Sequence, residues 1–80
     1  MRIRFDQEFG QPYLLELETD TGKQVRHFST ENDAMSAALG FIVDGGQRAM
    51  IARRMVDTDG EFVGYAIRWN WTQAGLRPAD

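Results

Sequence analysis

Few residues in this chain have the types and spacing that chemistry needs. His27 is the only histidine and there is no cysteine. Neither a nucleophile nor metal-ligand spacing stands near His27, so a base, relay or zinc role lacks its other members, and it reads as a sheet-edge histidine. Asp57, Asp59 and Glu61 alternate as oxygen ligands do at the start of a calcium loop. The twelve-residue pattern ending in a bidentate glutamate is missing, and a hairpin turn accounts for them. Asp44-Gly45-Gly46-Gln47 follows a helix rather than opening one and has no Lys-Ser/Thr pair, which makes it a helix C-cap rather than a phosphate loop. The expectation is a chain with no catalytic residue, metal or cofactor, and therefore not an enzyme.

Two constellations point to binding instead. Arg53, Arg54, Arg68 and Trp71 put cations and an aromatic on sheet elements, which is how single-stranded nucleic acids are gripped and stacked. That gives the alternative reading, a small single-stranded nucleic-acid-binding domain using the C-terminal hairpin. Trp69 and Trp71 share parity with Val63 and Ile67, however, and a domain this small needs its large aromatics inside. The other constellation is acidic: Glu16 and Glu18 on one side of a hairpin, Asp20 at its turn, and Asp33 and Asp44 on a helix. The same helix carries Ser36 and Gly40 on its polar side, and an exposed mid-helix glycine costs about 1 kcal/mol relative to alanine. A shallow groove over Ser36, Ala37 and Gly40, flanked by Asp33 and Asp44, would admit a partner's backbone or an Arg/Lys side chain.

The elements that must position these residues are legible from start, stop and period signals. Thr30 suits an N-cap, with Glu31 and Asp33 at the positive end of the dipole, and the apolar arc of Ala34, Met35, Ala38, Leu39, Phe41 and Ile42 predicts a helix over 31–44. Gly45 and Gly46 stop it. Tyr13 to Glu18 and Lys23 to Phe28 flank Thr19-Asp20-Thr21-Gly22, a hairpin in which a three-residue loop would set Leu17 against Val25 and Leu15 against His27. Arg48 to Val56 and Glu61 to Trp71 flank Asp57-Thr58-Asp59-Gly60, a second hairpin. Val63, Tyr65, Ile67, Trp69 and Trp71 alternate onto one face of its last strand. Depending on loop length, that row pairs with Met55, Arg53, Ile51 and Ala49, or with Val56, Arg54, Ala52 and Met50. Arg2 to Phe5 alternates as an additional N-terminal strand would, and Gly75 to Asp80 reads as a frayed tail. The predicted architecture is one two-layer α+β domain over 1–80, ββαββ with an optional N-terminal strand, its mainly antiparallel sheet covered on one face by one helix.

Eighty residues with 42% hydrophobic and 26% charged side chains fall among ordinary globular domains, far from the signature of disorder. Stability should be modest, roughly 5–8 kcal/mol. No apolar run reaches signal-peptide or membrane-spanning length, so the expectation is a cytoplasmic protein with no membrane partner. Net charge is −3, divided as −4 over residues 1–44 and +1 over 45–80. That asymmetry argues against a general nucleic-acid coat and allows an acidic face that meets a basic partner. An exposed edge strand, Arg2 to Phe5 or Lys23 to Phe28, also allows a homodimer.

Asp33-Ala34-Met35-Ser36-Ala37-Ala38-Leu39-Gly40-Phe41 and then Met50-Ile51-Ala52-Arg53 resemble a stretch found in small phage-encoded anti-CRISPR proteins. The resemblance implies a small, acidic, non-enzymatic inhibitor that occludes the DNA-binding or recruitment surface of a CRISPR effector by presenting carboxylates to basic residues in the host cytoplasm. That family shares no common motif, so no residue's role carries over by match.

Overall fold

The structure, a computed structural model, describes residues 2–78. The elements are β1 (Arg4–Phe5), β2 (Tyr13–Thr19), β3 (Gly22–Phe28), α1 (Glu31–Val43), β4 (Arg48–Val56), β5 (Phe62–Thr72) and β6 (Gly75–Pro78). Among the described residues the strands make one antiparallel sheet in the order β3-β2-β4-β5-β6, with β1 also paired to β4, and one helix packs on it. This is the expected small α+β fold. Sequence alone left the strand order open; β4 is the central strand because both β2 and β5 pair along it.

Local chemistry sets the helix ends where they were expected. Thr30 is extended (φ −129°, ψ 154°) and its Oγ1 accepts from the Asp33 amide at 3.2 Å, satisfying one of the orphan donors of the first turn. Gly45, at φ +97°, ends the helix in the left-handed region that a side chain would resist. Ala34, Ala38 and Ile42 are buried against Leu15, Leu17, Ala49 and Ile51. Leu15 and Ile51 are fully buried, each contributing about 1.5–3 kcal/mol. Leu39, expected in the buried arc, is 48% exposed; the two small alanines let the helix settle on the 34–38–42 stripe and roll Leu39 outward.

Side chains on the helix side of the sheet fall in rows across the strands: Leu17, Ala49 and Trp71 in one, Leu15, Ile51 and Trp69 in the next. The opposite side carries Glu18 beside Arg48, then Glu16, Met50 and Asn70, then Leu14, Ala52 and Ile67. No element of the described residues lies across the middle of this second face. At one end it is closed by residues 6–11, which leave the ladder between β1 and β2. There Arg54 sits 4.6 Å from the Phe9 ring centroid and 4.5 Å from that of Phe62.

Three further expectations are corrected. The first hairpin turns on two residues, Asp20 and Thr21, because Thr19 pairs directly with Gly22; Leu17 therefore faces Gln24 and Leu15 faces Arg26, while Val25 moves to the far side, 55% exposed. A one-residue change of register exchanges faces throughout a strand. The apolar row of β5 is split: Ile51 pairs with Trp69 but Ala52 with Ile67, so Arg68 is the extra residue of a bulge. Trp69 and Trp71 consequently pack under the helix, whereas Tyr65 and Ile67 lie on the other face, and each of the two expected pairings holds over one half of the hairpin. Finally, Gly75–Pro78 is not a tail but a strand paired to β5, Leu76 opposite Trp71; Ala79 and Asp80 lie outside the described residues.

Candidate functional site

The end of α1 and the turn of the first hairpin build one recess. After the C-cap Asp44, the Gly46 amide donates to the Phe41 carbonyl at 2.9 Å and the Gln47 amide to the Glu18 carbonyl at 3.2 Å, which ties the helix exit to the start of the hairpin turn. Gln47 Nε2 donates to Asp20 Oδ1 and holds that turn in place. The Phe41 ring lies so close over Gly46 that a Cβ there would overlap it. Thr19, Asp20, Phe41, Asp44, Gly45, Gly46 and Gln47 line the resulting cleft of about 220 Å³.

The recess is electrostatically negative. Asp20, whose carboxylate accepts from Gln47, and Asp44 are among its lining residues, it stands at the negative end of the helix dipole, and the last turn of α1 contains no basic residue. Such a site receives a cation, and the Phe41 ring gives a guanidinium or ammonium a face to lie against. No group of three His, Asp or Glu side chains among the described residues is placed to hold a metal ion. His27 is exposed on β3.

From the recess the outer face of α1 runs back through Gly40, Ser36 and Asp33, all exposed. A Cβ added at Gly40 would meet nothing within 4 Å, so the stripe is open to a partner's close approach. Leu39 and Val43, 48% and 73% exposed, flank it. The structure thus joins Asp20, Asp33, Ser36, Gly40 and Asp44 along one side. Glu16 and Glu18 lie elsewhere, on the sheet face away from the helix, where Glu16 pairs with Lys23 at 3.1 Å.

Of Arg53, Arg54, Arg68 and Trp71, three lie on the helix side of the sheet, with the Arg68 guanidinium 5.5 Å from the centroid of the Phe5 ring that Arg53 also approaches, while Arg54 lies on the opposite face. Arg53 lies on the helix side, its guanidinium 4.5 Å from the Phe5 ring centroid and 5.3 Å from that of Tyr13, with Nε buried and without a hydrogen-bond partner among the described residues. Arg54 points to the other face and is ion-paired with Asp6 at 2.9 Å. Arg68 pairs with Glu31 at 3.4 Å, and Trp71 is packed against the core.

Sequence reasoning missed Asp6. Its Oδ1 accepts from the amides of Glu8 and Phe9, and its Oδ2 from Arg54. The hydrogen bond from the Glu8 amide leads the causes that hold its pKa below the usual carboxylate value, against an opposing effect of desolvation. The available signal was an Asp three residues before Phe9 and just ahead of the Gly10-Gln11-Pro12 break, the place where an Asx turn forms. Phe41 and Gln47 were missed as recess residues, because only the tertiary fold brings the hairpin turn to them.

Fold and recess together define a small α+β domain with an acidic cleft at a helix C-terminus. No family model matches the chain, and no solved structure matches it. Over 54 residues, 68% of the chain, it is 39% identical to part of a protein named pro-apoptotic serine protease NMA111 from Meyerozyma guilliermondii. The chain spans about 5% of that protein's length. No helix of the described residues is long and apolar enough to cross a membrane.

Proposed function

We propose that this chain is a non-enzymatic interaction protein that docks on a basic surface of a larger complex and occludes it, in the manner of the small phage-encoded anti-CRISPR inhibitors it resembles. The observation that carries the reading is the convergence of Asp20 and Asp44, from opposite ends of the hairpin–helix unit, on one recess walled by Phe41. An arginine or lysine of the partner enters the recess, pairs with the carboxylates and lies against the ring. The Ser36–Gly40 stripe lets the partner's backbone approach α1, and Asp33 extends the acidic surface by nearly the length of the helix, about 16 Å. Charge of this kind steers association and selects the partner more than it fixes affinity. The protease named in the comparison keeps its activity to itself: the 54 matched residues are a small part of it.

Quantitative affinity capture from the natural host tests this, comparing the wild-type chain with an Asp20→Lys/Asp44→Lys variant. One partner bearing a basic surface should be enriched by the wild type, and its capture should fall with the double variant and with added salt. Capture that is indifferent to both changes contradicts the reading.

A further inference from the structure

We infer that the groove beside the end of β6 is a small-molecule site for a phosphate monoester carried on a flat ring, the chemistry of a nucleoside monophosphate. β6 stops at Pro78, opposite Trp69, so among the described residues no strand runs along the outer edge of β5 from Tyr65 to Ile67. That step in the sheet leaves a groove of about 660 Å³, with Arg48, Tyr65, Ile67, Asn70, Arg77 and Pro78 in its lining. Sites that hold small ligands run from roughly 300 to 1,000 Å³.

The polar groups of the groove are almost all donors. Arg48 Nε donates to Asn70 Oδ1 at 2.9 Å, which occupies the amide oxygen and turns the guanidinium toward β5. The Asn70 amide nitrogen, the outer nitrogens of Arg48 and the Arg77 guanidinium remain to donate. No carboxylate lines the groove, and neither arginine has an ion-pair partner among the described residues. Glu18 stands across the β2–β4 ladder from Arg48, outside the lining, and has Lys23 opposite it on its other side. Two guanidiniums beside one amide suit an anion with three acceptor oxygens; a carboxylate is saturated by a single fork, so the pair favours phosphate. The rest of the wall is apolar and firm. Ile67 is 51% exposed, and the Tyr65 ring is met by Phe62 with centroids 5.3 Å apart and planes at 62°. Phe62 in turn carries the Arg54 guanidinium 4.5 Å from its centroid. Every nucleobase has a π-face to lay against such a surface. The groove is on the sheet face away from α1, so it stands or falls separately from the recess and the partner-binding reading.

Titration of the full chain with adenosine monophosphate, followed by backbone and side-chain NMR, tests the inference. Binding at about 1 mM or tighter is expected, with shifts centred on Arg48, Tyr65, Ile67, Asn70 and Arg77. Arg48→Gln and Arg77→Gln, both at exposed positions, should each weaken it by about tenfold or more while the circular dichroism spectrum stays that of the wild type. Arg26→Gln, on β3 and away from the groove, should leave the affinity unchanged. Adenosine and inorganic phosphate, titrated separately, should each bind at least about tenfold more weakly than the nucleotide. Absence of shifts up to roughly ten times the expected dissociation constant overturns the proposal. So do shifts centred instead on Arg53 and Arg68, inorganic phosphate that binds as well as the nucleotide, or an affinity that survives the loss of both groove arginines.

Discussion

Glu31, in the first turn of α1, accepts a hydrogen bond from Trp69 Nε1 at 2.6 Å and also receives Arg68 Nε at 3.4 Å. The bulge in β5 presents both neighbours to the helix at once, so one carboxylate ties the helix start to the break in the strand ladder. The carboxylate also sits at the favourable end of the dipole. Glu31→Ala should therefore destabilise the chain by about 1–2 kcal/mol, a fall in Tm of roughly 5–15 °C for a domain of this size. Glu31→Gln keeps an acceptor for the indole and should lose less than half as much. Thermal unfolding followed by tryptophan fluorescence distinguishes the two; equal losses would show that charge, not the indole bond, carries the effect.

Gly40 separates stability from binding. It lies in mid-helix with open space where a Cβ would stand, so Gly40→Ala should raise stability by about 0.5–1 kcal/mol. The same methyl narrows the stripe along which a partner's backbone approaches, and binding should weaken. Denaturant unfolding and partner affinity, measured on one preparation, check both halves. Raised stability with unchanged affinity would take Ser36 and Gly40 out of the interface.

Asp6 gives the chain a dependence on acid. Its folded pKa lies below the 3.8 of an unperturbed aspartate. The ionised form is thus favoured by folding, and the stabilisation is complete above the unfolded value and lost as pH falls through the folded one. Asp6→Asn should be less stable than wild type at neutral pH, and the gap should close below about pH 4. Urea midpoints across pH 2.5–7, a range spanning roughly the carboxylate values, test this. A gap that is constant with pH would mean the asparagine loss is purely one of hydrogen-bond geometry around Glu8, Phe9 and Arg54.

Gly46 is required for the recess wall. Because a Cβ there would overlap the Phe41 ring, Gly46→Ala must push the ring aside, at a cost of about 1–3 kcal/mol. The ring resonances of Phe41 should shift and partner affinity should fall with them. Unchanged Phe41 resonances would contradict the described contact.

What could be read in the sequence was whatever local chemistry decides. Thr30 and Gly45 bracket the helix, and Arg48 and Val56 bound β4, because caps and turns act over a few residues. Asp57 likewise organises its own loop, its Oδ1 accepting from the amides of Asp59 and Glu61 at 2.9 and 3.0 Å. The register of the first hairpin was not legible, since Thr19-Asp20-Thr21-Gly22 suits either a two- or a three-residue turn and a single step exchanges the faces. The Arg68 bulge has no sequence signal of its own: the partner that Arg68 and Trp69 meet there is Glu31, far away in the chain. β6 escaped notice because four residues are too few to show a period, and Pro78, which has no amide proton to donate, fits only the end of a strand at a sheet edge. Of the acidic candidates, the pairing of Asp20 with Asp44 and the separation of Glu16 and Glu18 from both depend on strand order, which residue types alone do not encode.

The central claim is that the recess between Asp20 and Asp44 receives a basic side chain of a partner. Its most direct test is the affinity of the captured partner for the wild-type chain and for Asp20→Lys/Asp44→Lys, each measured by titration calorimetry at low and at high salt. The account predicts a loss of at least about tenfold for the variant at low salt, shrinking as salt screens the charges. Equal affinity for the two chains at low salt would contradict it.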